Sequence, residues 1–125
     1  MTLPGYEDKP VVSARALELS SNVLNTIKEH GIDNPILSTH LERIHELTGP
    51  EIRYIVSNAR LRGEPIGSGE KGYFYARRSE ELDQTIAHLR GREFKISIVR
   101  ERLEYTQRQL AERSRRRSFQ EAMEL

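Results

Sequence analysis

Apolar residues recur at helical spacing through the first half of the chain, between residues that cap or break helices. This pattern predicts a first helix from Ser20 or Ser21 to His30, where Gly31 stops it. Residues 1–19 show only weak periodicity and are predicted to form a flexible N-terminal arm, with a helical start at Ser13 as the alternative.

A second helix is predicted after a brief edge strand at residues 35–37. It begins at Ser38 or Thr39, because Thr39 and Glu42 have the spacing of a capping box. Its inner face is predicted to contain Leu41, Ile44 and either His45 or Leu47.

The third helix has the clearest pattern of the chain. Pro50 suits its first turn, Thr48 and Glu51 repeat the capping-box spacing, and Gly63 ends it. One face follows the spacing i, i+3, i+4, i+7 and is therefore predicted to be core, at Ile52, Ile55, Val56 and Ala59. The opposite face presents the polar residues Arg53, Tyr54, Ser57, Asn58, Arg60 and Arg62.

Two short strands at residues 65–67 and 72–76 are predicted next, joined by a glycine-bearing hairpin loop at 68–71. Ser79 then caps a fourth helix, whose acidic first turns suit the helix dipole. Its predicted inner face contains Leu82, Ile86 and Leu89, and Gly91 is predicted to end or bend it.

Residues 92–118 contain no glycine or proline and are predicted to form a basic helical extension, followed by a tail at 119–125. Ile96, Val99, Leu103, Thr106 and Leu110 alternate spacings of three and four, as in the seam of a coiled coil. Flanking charges of both signs favour self-association through Ile96, Val99, Leu103 and Leu110, as a dimer. Folding of this helix back onto the preceding domain is the alternative.

The order of these elements is helix, short strand, helix, tight turn, helix and hairpin. It predicts a mainly α fold with a small β-hairpin, a winged helix-turn-helix at residues 20–91, followed by a long C-terminal helix.

Composition agrees with a single small domain and an attached helix, because 125 residues contain 31% charged against 36% hydrophobic side chains. The absence of cysteine excludes disulfides, thiolate zinc sites and cysteine nucleophiles. No signal peptide and no run of about 18 apolar residues is visible, so we expect a soluble cytoplasmic protein without membrane contact.

The formal net charge of +1 hides two basic blocks. Residues 48–78 contain six Lys or Arg against three Asp or Glu, and residues 90–118 contain ten against four. The remaining stretches, 1–47, 79–89 and 119–125, are acidic on balance. Positive charge is therefore concentrated around the third helix and hairpin and in the C-terminal extension.

These basic blocks point to double-stranded DNA as the partner. A recognition helix buries one face and offers donors to base edges and phosphates with the other. Arg53, Tyr54 and Ser57 lie in the half that enters the groove most deeply, and Asn58 suits adenine. Phosphate contacts are predicted for Arg60, Arg62, Lys71, Arg77, Arg78, Arg115, Arg116 and Arg117, with simple solvent exposure as the alternative for Arg77, Arg78 and the last three.

Residues 63–76, with the Ser79–Leu82 helix start, resemble the wing of small phage-encoded DNA-binding and replication-associated proteins of the winged helix-turn-helix superfamily. The resemblance covers residues 48–90, and residues 20–47 by element order alone. It implies DNA binding by the third helix and the wing, in a phage or mobile-element context. The wing tip departs from a phosphate clamp, because its single Lys71 lies beside Glu70.

No residue pattern indicates an enzyme, a cofactor or a metal site, since the four histidines lie apart or on different helical faces. The sequence therefore predicts a non-enzymatic DNA-binding protein, either a transcription regulator or a factor in DNA replication. The alternative is a protein-interaction module for helicase loading or DNA packaging, built on the same winged helix.

Overall fold

A computed structural model describes residues 13–124. These residues confirm a mainly helical chain with a two-stranded antiparallel hairpin and a long C-terminal helix. By its contacts the chain divides into two compact units after Thr85. The elements are α1 (Ala14–Lys28), α2 (Ser38–His45), α3 (Gly49–Leu61), β1 (Ile66–Gly69), β2 (Gly72–Tyr75), a 3₁₀ turn (Ser79–Leu82) and α4 (Asp83–Met123).

Helix α1 begins six residues before the predicted Ser20. Ser13 is its N-cap, and the Ser13 hydroxyl accepts a hydrogen bond from the Ala16 amide at 3.0 Å. Ser20 does not cap, because its hydroxyl donates back to the Ala16 carbonyl inside the helix. Residues 14–19 of the predicted arm are therefore helical and Ala16 is fully buried, whereas residues 1–12 lie outside the described part of the chain.

Helix α2 begins at Ser38, and its N-cap Leu37 makes no side-chain cap. The predicted pairing of Thr39 with Glu42 is wrong, because the Glu42 carboxylate instead accepts from the Ser38 hydroxyl at 3.2 Å. Of the predicted inner face, Leu41 and Leu47 are buried, whereas Ile44 is 50% exposed and lies outside the core cluster.

Helix α3 forms as predicted. The Thr48 hydroxyl accepts from the Glu51 amide and the Glu51 carboxylate accepts from the Thr48 amide, which is a complete capping box. Its four predicted core residues are all buried, and the helix packs against α1, α2 and β1. The Ser13 hydroxyl also donates to the Glu51 carboxylate, so the caps of α1 and α3 are linked.

The hairpin turn is shorter than predicted, because residues 68 and 69 belong to β1 and only Glu70 and Lys71 lie between the strands. The predicted edge strand at 35–37 is reduced to one bridge, in which Ile36 and Tyr73 exchange two backbone hydrogen bonds of 2.8 Å. Gly72 lies directly beside this bridge, with φ of 118°. A Cβ there would come within 2.1 Å of the Ile36 carbonyl oxygen, so only glycine fits.

Gly91 does not end a helix, because α4 runs without interruption from Asp83 to Met123. Of its predicted inner face Leu82 is half-buried, while Ile86 and Leu89 are 42% and 46% exposed. The buried position is Thr85, whose hydroxyl accepts from the Ser68 amide at 3.0 Å and donates to the Ser68 carbonyl at 3.2 Å. No helix within residues 13–124 is long and apolar enough to cross a membrane.

Candidate functional site

Arg60 joins α3 to the hairpin. Its Nε donates to the Ile66 carbonyl at 2.8 Å and its Nη2 donates to the Ser68 hydroxyl at 3.1 Å. Burial lowers the pKa of the Arg60 guanidinium, which remains charged because arginine titrates so far above neutrality. Arg60, which the sequence predicts to contact phosphate, therefore positions the hairpin on the helix.

The N-terminal half of α3 presents a free polar surface. Arg53, Tyr54 and Ser57 are exposed, and their side chains make no hydrogen bond or ion pair with any other part of residues 13–124. Asn58 is half-buried, and Arg62 is exposed at the C-cap of the helix. These side chains are thus brought to one helix whose opposite face is fixed in the core.

Glu42 is the acidic residue that approaches this surface. A Cβ built at Gly49 would lie 3.7 Å from both carboxylate oxygens of Glu42 and 3.4 Å from Nη1 of Arg53. Both side chains therefore lie beside Gly49, next to the turn between α2 and α3, and they form no ion pair within 4.0 Å. Arg53 therefore extends toward the N-terminal end of α3.

The hairpin is fixed at its base and exposed at its tip. The Tyr75 hydroxyl donates to the Glu64 carboxylate at 2.6 Å, and this bond is the main cause that raises the pKa of Tyr75. Lys28 of α1 lies over the Tyr75 ring, with Nζ 5.7 Å from its centroid. Lys71 is exposed in the two-residue turn, where Glu70 accompanies it.

Arg77 and Arg78 occupy a different surface from the polar face of α3. They line a shallow depression with Glu29, Asp33 and Glu81. The Arg77 amide donates to the Glu81 carboxylate at 2.9 Å, and Arg78 Nε lies 3.8 Å from the same group. The Glu81 carboxylate therefore pairs with Arg78, while Arg77 shares a depression lined by three carboxylates.

The remaining predicted residues lie on the second unit, which is helical. Arg115 and Arg116 both approach Glu112, at 3.2 and 3.4 Å, and Arg117 is exposed. The predicted seam is an exposed apolar stripe, which contains Ile96, Val99, Leu103 and Leu110.

Two polar contacts that join α1 to the C-terminal end of α2 were not predicted from the sequence. Arg15 donates to the His45 and Glu46 carbonyls, each at 3.3 Å, where Glu46 ends α2 with φ of 55°. His45 Nε2 lies 3.0 Å from the Thr26 hydroxyl, and burial lowers the pKa of His45. The spacing of Ala16, Val23 and Ile27 was the available signal, because it continues the α1 stripe back to Ser13.

Within residues 13–124, no group of three or more His, Asp or Glu side chains is arranged to hold a metal ion. No protein-family model, no curated protein and no solved structure matches this chain.

Proposed function

We propose that this chain is a non-enzymatic double-stranded-DNA-binding protein whose first unit is a winged helix-turn-helix. In this proposal α3 is the recognition helix and the β1–β2 hairpin is the wing. The order of α1, the Ile36 bridge, α2, α3 and the hairpin supports the assignment, as does the three-residue turn between α2 and α3.

The exposed half of α3 carries the proposal. A helix that reads bases must be held rigidly on one side and must keep its donors free on the other. Helix α3 packs against α1, α2 and β1, while Arg53, Tyr54 and Ser57 have no partner among the described residues. A surface of this kind is suited to base edges in a major groove.

The proposed roles follow from the geometry of each side chain. Arg53 and Ser57 contact base edges beside Tyr54, because they lie in the N-terminal half of α3. Arg62 and Lys71 contact phosphates, and Arg60 positions the wing. Arg115, Arg116 and Arg117 add salt-dependent phosphate contacts from the C-terminal helix.

Self-association through the seam completes the proposal. Ile96, Val99, Leu103 and Leu110 are 56–66% exposed, so pairing with the seam of a second chain would bury them. A dimer of this kind reads two related half-sites. Its cellular setting is the cytoplasm, in the phage or mobile-element context that the sequence resemblance implies.

The proposal is tested by fluorescence anisotropy, which measures the binding of labelled duplexes to the full chain at two salt concentrations. Arg53→Ala should weaken binding by about 5- to 100-fold, as expected for loss of a bidentate arginine contact. Arg77→Ala is the matched control, because it removes the same charge from a surface already rich in carboxylates. Absence of duplex binding at low salt would overturn the proposal.

A protein-assembly module is the second candidate, favoured by the exposed helix of the second unit. From residue 86 to 124 every side chain is exposed except the half-buried Ser97, which is a large unburied surface for one helix. Co-purification with a replication or packaging protein, without retention on DNA, would select this candidate.

A further inference from the structure

Helix α4 carries a second row of large apolar side chains, on the side opposite to the seam. At about 100° per residue, this row falls within an arc of about 60°, centred about 150° from the middle of the seam. We call it the second stripe; its members are 48–72% exposed and are Phe94, Ile98, Tyr105, Phe119 and Met123.

Seam pairing alone leaves the second stripe in water. A two-stranded coiled coil buries one face of each helix, and the second stripe lies on the other face. Rows of exposed aromatic and aliphatic side chains of this length mark interaction surfaces in soluble proteins. The second stripe therefore needs an occupant of its own.

We propose that the occupant is the second stripe of another copy of this chain, running in the opposite direction. The two copies are related by a twofold axis that passes between Arg108 and Gln109. Phe94 then comes level with the partner's Met123, and Ile98 comes level with the partner's Phe119. Every large apolar residue at the ends of the stripe meets another one.

Charge supports the same alignment. Glu101 comes level with the partner's Arg116, and the twofold axis repeats this pair, so the interface contains it twice. In the isolated chain Glu101 lies 3.8 Å from Arg100, and Arg116 lies 3.4 Å from Glu112, all of them exposed. Replacing these exposed ion pairs within one chain by a Glu101–Arg116 pair between chains therefore costs little free energy.

Charge also disfavours a neighbouring register. Sliding one helix by a turn in one direction brings Glu101 level with the partner's Glu112. Like charges at the same height oppose this shift.

Where the seam pairs as proposed above, each helix contacts two copies and the assembly exceeds two chains. That consequence rests on the proposed function. The pairing of the second stripe does not, because it involves neither the seam nor DNA.

Sedimentation equilibrium of the full chain without DNA tests the pairing, in a Leu103→Glu background that removes the seam. We expect this variant to be a dimer through the second stripe. Either E101R or R116E should weaken that dimer about tenfold, because each creates two like-charge contacts. The double variant E101R/R116E should restore the affinity of the background protein.

E104R is the matched control. Glu104 and Glu101 both lie beside Arg100, but Glu104 is rotated about 90° from the centre of the second stripe. E104R should therefore leave the dimer unchanged. A monomeric Leu103→Glu protein whose circular dichroism shows that α4 is intact would overturn the proposal, and so would a double variant without rescue.

Discussion

Arg60 donates from Nε to the carbonyl oxygen of Ile66 at 2.8 Å, which joins the last turns of α3 to the first residue of the hairpin. Nη2 of the same guanidinium reaches the Ser68 hydroxyl. One partly buried side chain thus satisfies two acceptors on the neighbouring strand, and it fixes α3 and the hairpin to each other.

Replacing Arg60 should destabilise the first unit. Arg60→Ala leaves the Ile66 carbonyl without its donor, so we expect the free energy of unfolding to fall by about 1–3 kcal/mol. Arg60→Lys should not restore it, because one ammonium group cannot reproduce the planar fork. Urea denaturation measures both variants, with the exposed Arg62→Ala as the control. Equal stability of Arg60→Ala and Arg62→Ala would contradict the assigned role.

Gly72 should tolerate no side chain. Gly72→Ala forces a Cβ toward the Ile36 carbonyl in a backbone conformation that L residues rarely adopt, so we expect a loss of about 1 kcal/mol or more. Gly69→Ala is the control, because a Cβ at this opposite position of the hairpin meets nothing within 4 Å. Thermal unfolding compares the two variants, and a Gly72→Ala protein as stable as Gly69→Ala would show that the Ile36 bridge is not formed.

Stability should fall in mild acid through His45. Burial lowers the pKa of His45 from its ordinary 6.5, so the unfolded chain binds a proton more readily than the folded chain. This contribution is fully present above pH 6.5 and is lost as the pH falls through the folded pKa. His45→Gln should reduce the change in the free energy of unfolding with pH, as measured by urea unfolding from pH 8 to 5. An unchanged slope in this variant would exclude His45 as its source.

The C-terminal arginines should act without regard to base sequence. Arg115→Ala is expected to weaken binding to all duplexes alike and to reduce the slope of log affinity against log salt by about one. Anisotropy titrations on two unrelated duplexes measure this effect. A loss confined to one of the two duplexes would contradict a pure phosphate contact.

Local patterns were sufficient for the parts of the fold that depend on neighbouring residues. Thr48 and Glu51 form their capping box, and the buried face of α3 follows its spacing, because both are decided within four residues of chain. The exposed position of Arg53 follows for the same reason.

Tertiary contacts decided the rest. Ser20 has the chemistry of a cap, but the burial of Ala16 extends α1 back to Ser13. Gly91 has the chemistry of a stop, yet a single glycine costs a long helix only about 1 kcal/mol, and α4 continues through it. The pairing of Arg60 with the hairpin depends on the packed structure, so spacing along the chain did not predict it.

Selection of bound duplexes from a random pool by the full chain, at two salt concentrations, tests the central claim most directly. We predict an enriched sequence arranged as two related half-sites, with binding that weakens steeply as salt rises. The Arg53→Ala protein should retain duplexes but lose part of the sequence preference. A chain that retains no duplex at low salt and enriches no sequence would contradict DNA recognition by α3.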